Sequence, residues 1–399
     1  MTQATLPVAP ALDAFVARAA EAGHVSIDAL KQAGVPTRRV EAWRYTPLRA
    51  VSAIAWSAAP VVTQADVDAV LATLPLPETG HRAVFGNGRV VQADLPPCAQ
   101  ALPALSEADS ETGRFSVLLN DVLASDGVAL RVPAGQDAGF LTLANITKGT
   151  DVSAHLHHRI VLEDGASLTL YEVNAGEGRY LTNPRLSIKV GRGARLQHVK
   201  IQRDSADAFH LAFVSAKVSG EGVYNSFTLN QGSALARHEV AATLAESHAE
   251  VHINGVQRVD GERLNDLTSF IHHAAPDCNS RQTVKTVLSE NGQGVFQGKI
   301  LVDRIAQKTD GYQMNQALLL SEKAQINSKP ELEIYADDVK CSHGATVGAL
   351  DDEQLFYLRS RGVPAAEARD ILVQAFLLDA VELLEDATLR DLLLRSFVS

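Results

Sequence analysis

The stretch that decides the fold runs from Asp164 to Ile201 and reads DGASLTLYEVNAGEGRYLTNPRLSIKVGRGARLQHVKI. SLTLYEV, RLSIKV and ARLQHVKI are short runs rich in Leu, Ile and Val, set apart by Gly, Asn and Asp, with no helical period between them. The phrase DGASL returns as RGARL, and further along as EGVYN, HAEV, QGVF and KAQI. Anchored on Ala166, Ala194, Val223, Ala249, Val295 and Ala324, it recurs after 28, 29, 26, 46 and 29 residues. A strand unit repeating at such a period buries its apolar face against the next copy of itself, which is the logic of a β-solenoid. The 46-residue interval is expected to hold an irregular rung or a loop. A jelly roll or large sandwich with turns at similar spacing is the competing architecture.

The same texture extends outward to about Gly127 and Cys341, through HLAFVSAKV (210–218), TVKTVLS (283–289) and GVFQGKILV (294–302). On either side the period changes to that of helices. From Ala11 to Leu102 apolar residues fall at intervals of three and four. ALDAFVARAAEAG stops at Gly23, IDALKQAGVP stops at Gly34 and Pro36, and Thr63 is placed to cap TQADVDAVLATLP. A Pro-rich stretch around Pro96, Pro97 and Pro103 follows. After Gly348, DDEQLFYLRSRG stops at Gly362. Pro364 then opens PAAEARDILVQAFLLDAVELLEDA, which sets Ala368, Ile371, Leu372, Ala375, Phe376 and Val381 on one side. Three regions result: a helical one over 1–105, a β core over 106–346 and a second helical one over 347–399. Terminal helices can cover the open ends of a solenoid, and helices this apolar can also dock another protein.

Composition narrows the function. The 399 residues are 46% hydrophobic and 21% charged, enough to bury a sizeable core, and the formal charge of −11 disfavours nucleic acid as a partner. No run of 18 apolar residues is present, which argues against a membrane-spanning helix. The N-terminus lacks a basic start and apolar run, so it reads as a tail before an amphipathic helix. Three scattered cysteines, Cys98, Cys278 and Cys341, fit a reducing cytoplasm and form no CxxC pair.

The segment DDVKCSHGATVGALDDEQLFYLRSRGV (337–363) carries the most chemistry. In an extended chain Cys341 and His343 project from one face. A thiolate and an imidazole so placed make half a site for iron, to be completed from elsewhere in the fold, from a partner or by a cluster's own sulfides. Two other readings stay open: a packed cysteine beside a hydrogen-bonded histidine, and a Cys–His nucleophile pair. In HLHH (155–158), His155 and His157 share one strand face and His158 takes the other, without a nearby carboxylate, which favours a structural role. His272 and His273 likewise face opposite ways, with Cys278 close in sequence. GNGRV (86–90) and GEGRY (176–180) are too short for a phosphate cradle. Asp351, Asp352 and Glu353 read as helix-start residues.

VKCSHGATVGALDDEQLFYLRSRGV closely resembles the C-terminal signature of the SufB/SufD family of iron–sulfur cluster assembly scaffold proteins. RRVEAWRYTPL (38–48) looks like that family's N-terminal motif, and the sequence from His272 to Phe376 is similar to its core almost throughout. The resemblance implies a right-handed parallel β-helix flanked by helical regions, and a cytoplasmic scaffold protein that is not itself an enzyme. It implies pairing with SufB through the β-helix, and docking of the SufC ATPase on the C-terminal helical region, where Leu355, Phe356, Tyr357, Arg361 and Phe376 are the candidates. A homodimer of the isolated chain is a further expectation. The cofactor implied is a transient iron–sulfur cluster at the SufB interface, facing Cys341 and His343, with none held stably by the isolated chain. Two alternatives compete: a carbohydrate-active β-helix enzyme, disfavoured because the only tryptophans, Trp43 and Trp56, lie in the N-terminal zone, and a cupin-like metalloenzyme using HLHH.

Overall fold

The computed structural model describes residues 9–22, 27–102 and 114–398. Gly23, Pro103 and the 105/106 boundary lie outside the described residues. Two ten-stranded sheets dominate, and above β4 the strands alternate between them along the chain. The first sheet holds β1 (Ser57–Ala58), β4 (Gln100–Ala101), β5 (Ala129–Val132), β7 (Val152–Leu162), β9 (Tyr180–Val190), β11 (Phe209–Val218), β13 (Leu235–Leu244), β15 (Leu264–His273), β17 (Gln293–Val302) and β19 (Gln325–Ile334). The second holds β2 (His81–Gly86), β3 (Arg89–Asp94), β6 (Asp137–Lys148), β8 (Ser167–Glu177), β10 (Arg195–Arg203), β12 (Val223–Asn230), β14 (Glu250–Val259), β16 (Asn279–Leu288), β18 (Asp310–Leu319) and β20 (Lys340–Gly348). The helices are α1 (Pro10–Glu21), α2 (Ile27–Ala33), α3 (Arg49–Ser52), α4 (Gln64–Leu71), α5 (Phe115–Leu123), α6 (Asp352–Ser360), α7 (Ala365–Val381) and α8 (Ala387–Val398).

The chain is a parallel β-solenoid, as the repeat predicts. Arg195 stands beside Val223, Val223 beside Glu250, Glu250 beside Asn279, Asn279 beside Asp310 and Asp310 beside Lys340, all in parallel register. The stack is therefore unbroken where the 46-residue interval suggested an irregular rung. That interval arose because Ala249 leads into β14 of the second sheet, whereas Val295 lies in β17 of the first. A turn rule runs beneath the repeat. Two residues before β6, β8, β10, β12, β14, β16 and β18 the backbone takes positive φ, at Gly135, Gly165, Gly193, Glu221, His248, Asp277 and Lys308. Only the first three of these are glycine, so the turn persists after its sequence signal fades.

Inside, side chains stack in register from rung to rung. Ile160, Ile188, Ala216, Ala242, Ile271 and Ile300 form one such column, all buried in the core. Each Val, Leu or Ile so buried contributes about 1.5–3 kcal/mol. The outer faces are also apolar, because both helical regions lie along the flanks rather than over the ends. Phe15, Leu30, Trp43, Trp56 and Leu119 pack on Leu181, Phe209, Leu211 and Leu235 of the first sheet. Leu377, Ala380, Val381, Leu389 and Leu393 pack on Tyr171, Val199, Phe227 and Val256 of the second.

Two features differ from what the sequence predicts. The zone 11–102 is not helical throughout: β2 and β3 form a hairpin over Asn87 and Gly88, both at positive φ, and β2 joins the second sheet beside β6. This antiparallel hairpin, with β4 antiparallel on β5, finishes the N-terminal end of the solenoid. The face of α7 is also rotated from the expected one. Ala368 and Val381 are buried and Phe376 packs at the margin, but Ile371 and Ala375 face solvent, and Leu377 and Ala380 take the inner positions.

The motif RRVEAWRYTPL is a clasp between the N-terminal region and the first sheet. The buried Arg237 guanidinium lies 4.2 Å from the Trp43 ring centroid, donates to the Ala42 carbonyl at 2.9 Å, and pairs with Asp266 at 2.6 Å and Glu239 at 3.2 Å. Thr46 Oγ1 donates to the same Asp266, and Arg114 pairs with Glu239.

Candidate functional site

Cys341 and His343 lie on β20, which closes the second sheet and pairs with β18 alone; β19 likewise ends the first sheet on β17. Among the described residues no strand continues the stack beyond them. The row of backbone N–H and C=O groups on the outer edge of each is thus left for another chain or for water. Alternation along β20 puts the two side chains on one face, as the spacing predicts, the face that turns to the solenoid interior. Cys341 is half-buried against the core and His343 is exposed. Cys341 Sγ sits over Gly311, 3.4 Å from where a β-carbon would stand. Burial pushes the Cys341 thiol pKa up, so the unliganded sulfur is protonated at neutral pH.

Among the described residues no group of three or more His, Cys, Asp or Glu converges in the manner of a metal site. Cys341 and His343 are therefore at most part of a ligand set. The other histidine motifs are spent internally. His155 bonds to Ser153 Oγ at 2.9 Å and Asn183 Oδ1 at 3.1 Å, and His157 Nε2 to Ser187 Oγ at 2.9 Å. His158, on the opposite face, accepts the Val128 N–H at 3.1 Å and stands edge-on to Phe85. Burial depresses His155 and His157 to about 3 and His158 to about 4, which keeps all three neutral. The HLHH motif is thus packing, and the cupin-like reading has no support in it. His272 pairs with Asp303 at 3.0 Å while His273 bonds to Ser280 Oγ at 2.8 Å, and the Cys278 thiol points to the Glu246 carbonyl. Trp43 and Trp56 are both buried, so neither lines a sugar-binding groove.

The C-terminal candidates divide. Phe356 and Tyr357 are 74% and 57% exposed, and with Ile371 and Leu372 they line an apolar groove of about 800 Å³ between α6 and α7. Arg361 lies 5.2 Å from the Tyr357 ring centroid. Leu355 lines the opposite side of α6, beside Leu319, Leu320 and Leu350. Phe376 packs on the second sheet, under the Lys285 ammonium 4.5 Å from its centroid. Asp351 caps α6 by accepting the N–H groups of Glu353 and Gln354. That is the helix-start role expected of the acidic run.

The sequence reading missed the polar lining of the solenoid interior. Glu172 bonds to His198 at 3.2 Å and lies 3.6 Å from Lys200, all fully buried. Nearer the C-terminal end, Gln282, Gln313 and Asn315 are buried on strands β16 and β18, at inward positions of the two-residue alternation. That alternation was readable in GYQMNQ (311–316). What was not readable is which of its faces turns inward.

Comparison with known proteins agrees with the motifs. Residues 145–376 match the family described as SUF system FeS cluster assembly, SufBD core domain. The chain is similar to the iron–sulfur cluster assembly protein SufD of Escherichia coli, 35% identical over 388 residues that cover 90% of this chain and 88% of that one. It is similar to an iron–sulfur cluster assembly SufBD family protein of Synechocystis, 31% identical over 397 residues covering 92% and 86%. The chloroplastic protein ABCI7 of Arabidopsis thaliana is 34% identical over 236 residues, 58% of this chain and 50% of its own. With the solenoid, the C-terminal signature and these likenesses in agreement, the chain belongs to the SufB/SufD family of SUF-system iron–sulfur cluster assembly proteins.

Proposed function

We propose that the chain is a scaffold subunit, not an enzyme, that presents the last rung of its solenoid to a SufB-type partner and receives a nascent iron–sulfur cluster there as cargo. One observation carries this reading. Among the described residues both sheets end in an unpaired parallel edge, and Cys341 and His343 stand on it facing the same way. A partner solenoid meeting that edge completes the backbone hydrogen bonds and supplies the ligands that two side chains lack. The second contact is the α6–α7 groove, where Phe356 and Tyr357 offer aromatic surface to a SufC-type ATPase. Nucleotide-driven movement of that subunit would act on the second sheet through α7, whose Asp379 pairs with Lys285 of β16 at 2.7 Å.

The test is co-expression with SufB- and SufC-type subunits from the same source and purification through a tag on this chain. Both are expected to co-elute. A paired Phe356→Ser, Tyr357→Ser variant is expected to lose the ATPase and keep the SufB-type subunit. Cys341→Ala and His343→Ala are expected to keep both and lose cluster. Elution of the chain alone, or normal cluster content in both single variants, overturns the reading.

A further inference from the structure

Gln313 lies immediately behind the candidate site. It pairs in register with His343 on one side and with Gln282 on the other, so the three share an inward column one strand spacing apart, about 4.8 Å. Its side chain is fully buried, yet neither Nε2 nor Oε1 has a hydrogen-bond partner among the described residues. A buried amide with both ends unused is costly, and such groups are usually satisfied. The side chain spans the interior. A β-carbon added to Gly298, on β17 of the opposite sheet, would run into Gln313 Nε2. The residue stacked over Gly298 in the last rung is Pro330, which has no N–H to offer. The amide is thus held across the solenoid, beneath the rung that carries Cys341 and His343, with a donor to spare.

We infer that the Gln313 side-chain amide is a further binding group of the cluster site, donating an N–H to a sulfur atom of the cluster seated against Cys341 and His343. An N–H directed at cluster sulfur favours the more negatively charged reduced state and raises the reduction potential. It also holds sulfide in place without adding charge. Gly298 has a matching purpose: it leaves room for the amide to lie across the interior.

The inference rests on the reading of Cys341 and His343 as cluster-facing, and the test separates the two. The complex with the SufB- and SufC-type subunits is reconstituted anaerobically with ferrous iron and sulfide, carrying this chain as wild type, Gln313→Met, Gly298→Ala or His343→Ala. Gln313→Met keeps length and volume and removes the amide; Gly298→Ala keeps the amide and displaces it. Both are expected to assemble with wild-type stoichiometry, to lose bound sulfide several-fold faster, and to lower the cluster's midpoint potential. If both match wild type while His343→Ala loses the cluster, Gln313 has no such role and the site reading stands. If His343→Ala and a Cys341→Ala complex treated in the same way also match wild type, the site reading falls and takes this inference with it.

Discussion

Acidification should weaken this fold by an amount that the HLHH strand makes calculable. In the unfolded chain each imidazole titrates near 6.5, whereas in the folded chain burial holds His155 and His157 at about 3 and His158 at about 4. Because the folded values are depressed, the contribution is complete above pH 6.5 and is lost as pH falls, levelling off only below the folded values. Between pH 7 and pH 5 the unfolded state gains most of one proton per histidine and the folded state almost none. At about 1.4 kcal/mol per proton per pH unit, each site loses about 2 kcal/mol and the three together about 5–6 kcal/mol. That is comparable with the whole stability of a typical domain, about 5–15 kcal/mol. The assay is the urea unfolding midpoint and slope at the two pH values for wild type and His157→Gln, whose amide can still reach Ser187. The variant is expected to lose about 2 kcal/mol less on acidification. Equal losses in the two proteins would rule this out, because they would show that His157 takes up no proton on unfolding.

Two further outcomes follow from named contacts. Arg237→Ala strands the buried Asp266 carboxylate and frees the Trp43 face, so it should cost about 3–5 kcal/mol; limited proteolysis should then cut first within 34–56, and an unchanged pattern would mean that the clasp does not hold the N-terminal region. Asp351→Ala removes the cap of α6 and should cost about 1 kcal/mol, read as faster hydrogen exchange at Glu353 and Gln354.

The solenoid was legible in the sequence because strand alternation and the Gly-containing turn phrase both survive in its first half. The phrase was still readable at Glu221 and His248, where the left-handed turn residue is no longer glycine, and was lost at Asp277 and Lys308. The third strand pair beyond Ala194 therefore carried no readable mark, and the repeat appeared to skip. The hairpin at 81–94 had a signal that was passed over: Asn87-Gly88 between two apolar runs is the dipeptide that a two-residue turn with positive φ at both positions requires. The shared face of Cys341 and His343 followed from alternation alone. The exposure of His343 did not, because alternation does not say where a stack stops. The polar interior was hidden for a related reason: with helices along both flanks, each sheet is apolar on both faces, and pattern no longer tells inside from outside.

The two ends of the solenoid are chemically unlike, and that difference limits how large an assembly can grow. At one end, β3 and β4 run antiparallel to their neighbours and interrupt the parallel register. At the other, β19 and β20 continue it. A molecule whose two termini differ in this way behaves like a chain-terminated monomer in polymer chemistry: once coupled through its parallel end, it presents only antiparallel edges, which do not extend a parallel stack. Coupling through β19 and β20, if it is the mode of pairing proposed above, would therefore yield a discrete pair rather than a fibre. Removal of β3 and β4 would convert the same subunit into a bifunctional one, able to add at both ends without limit.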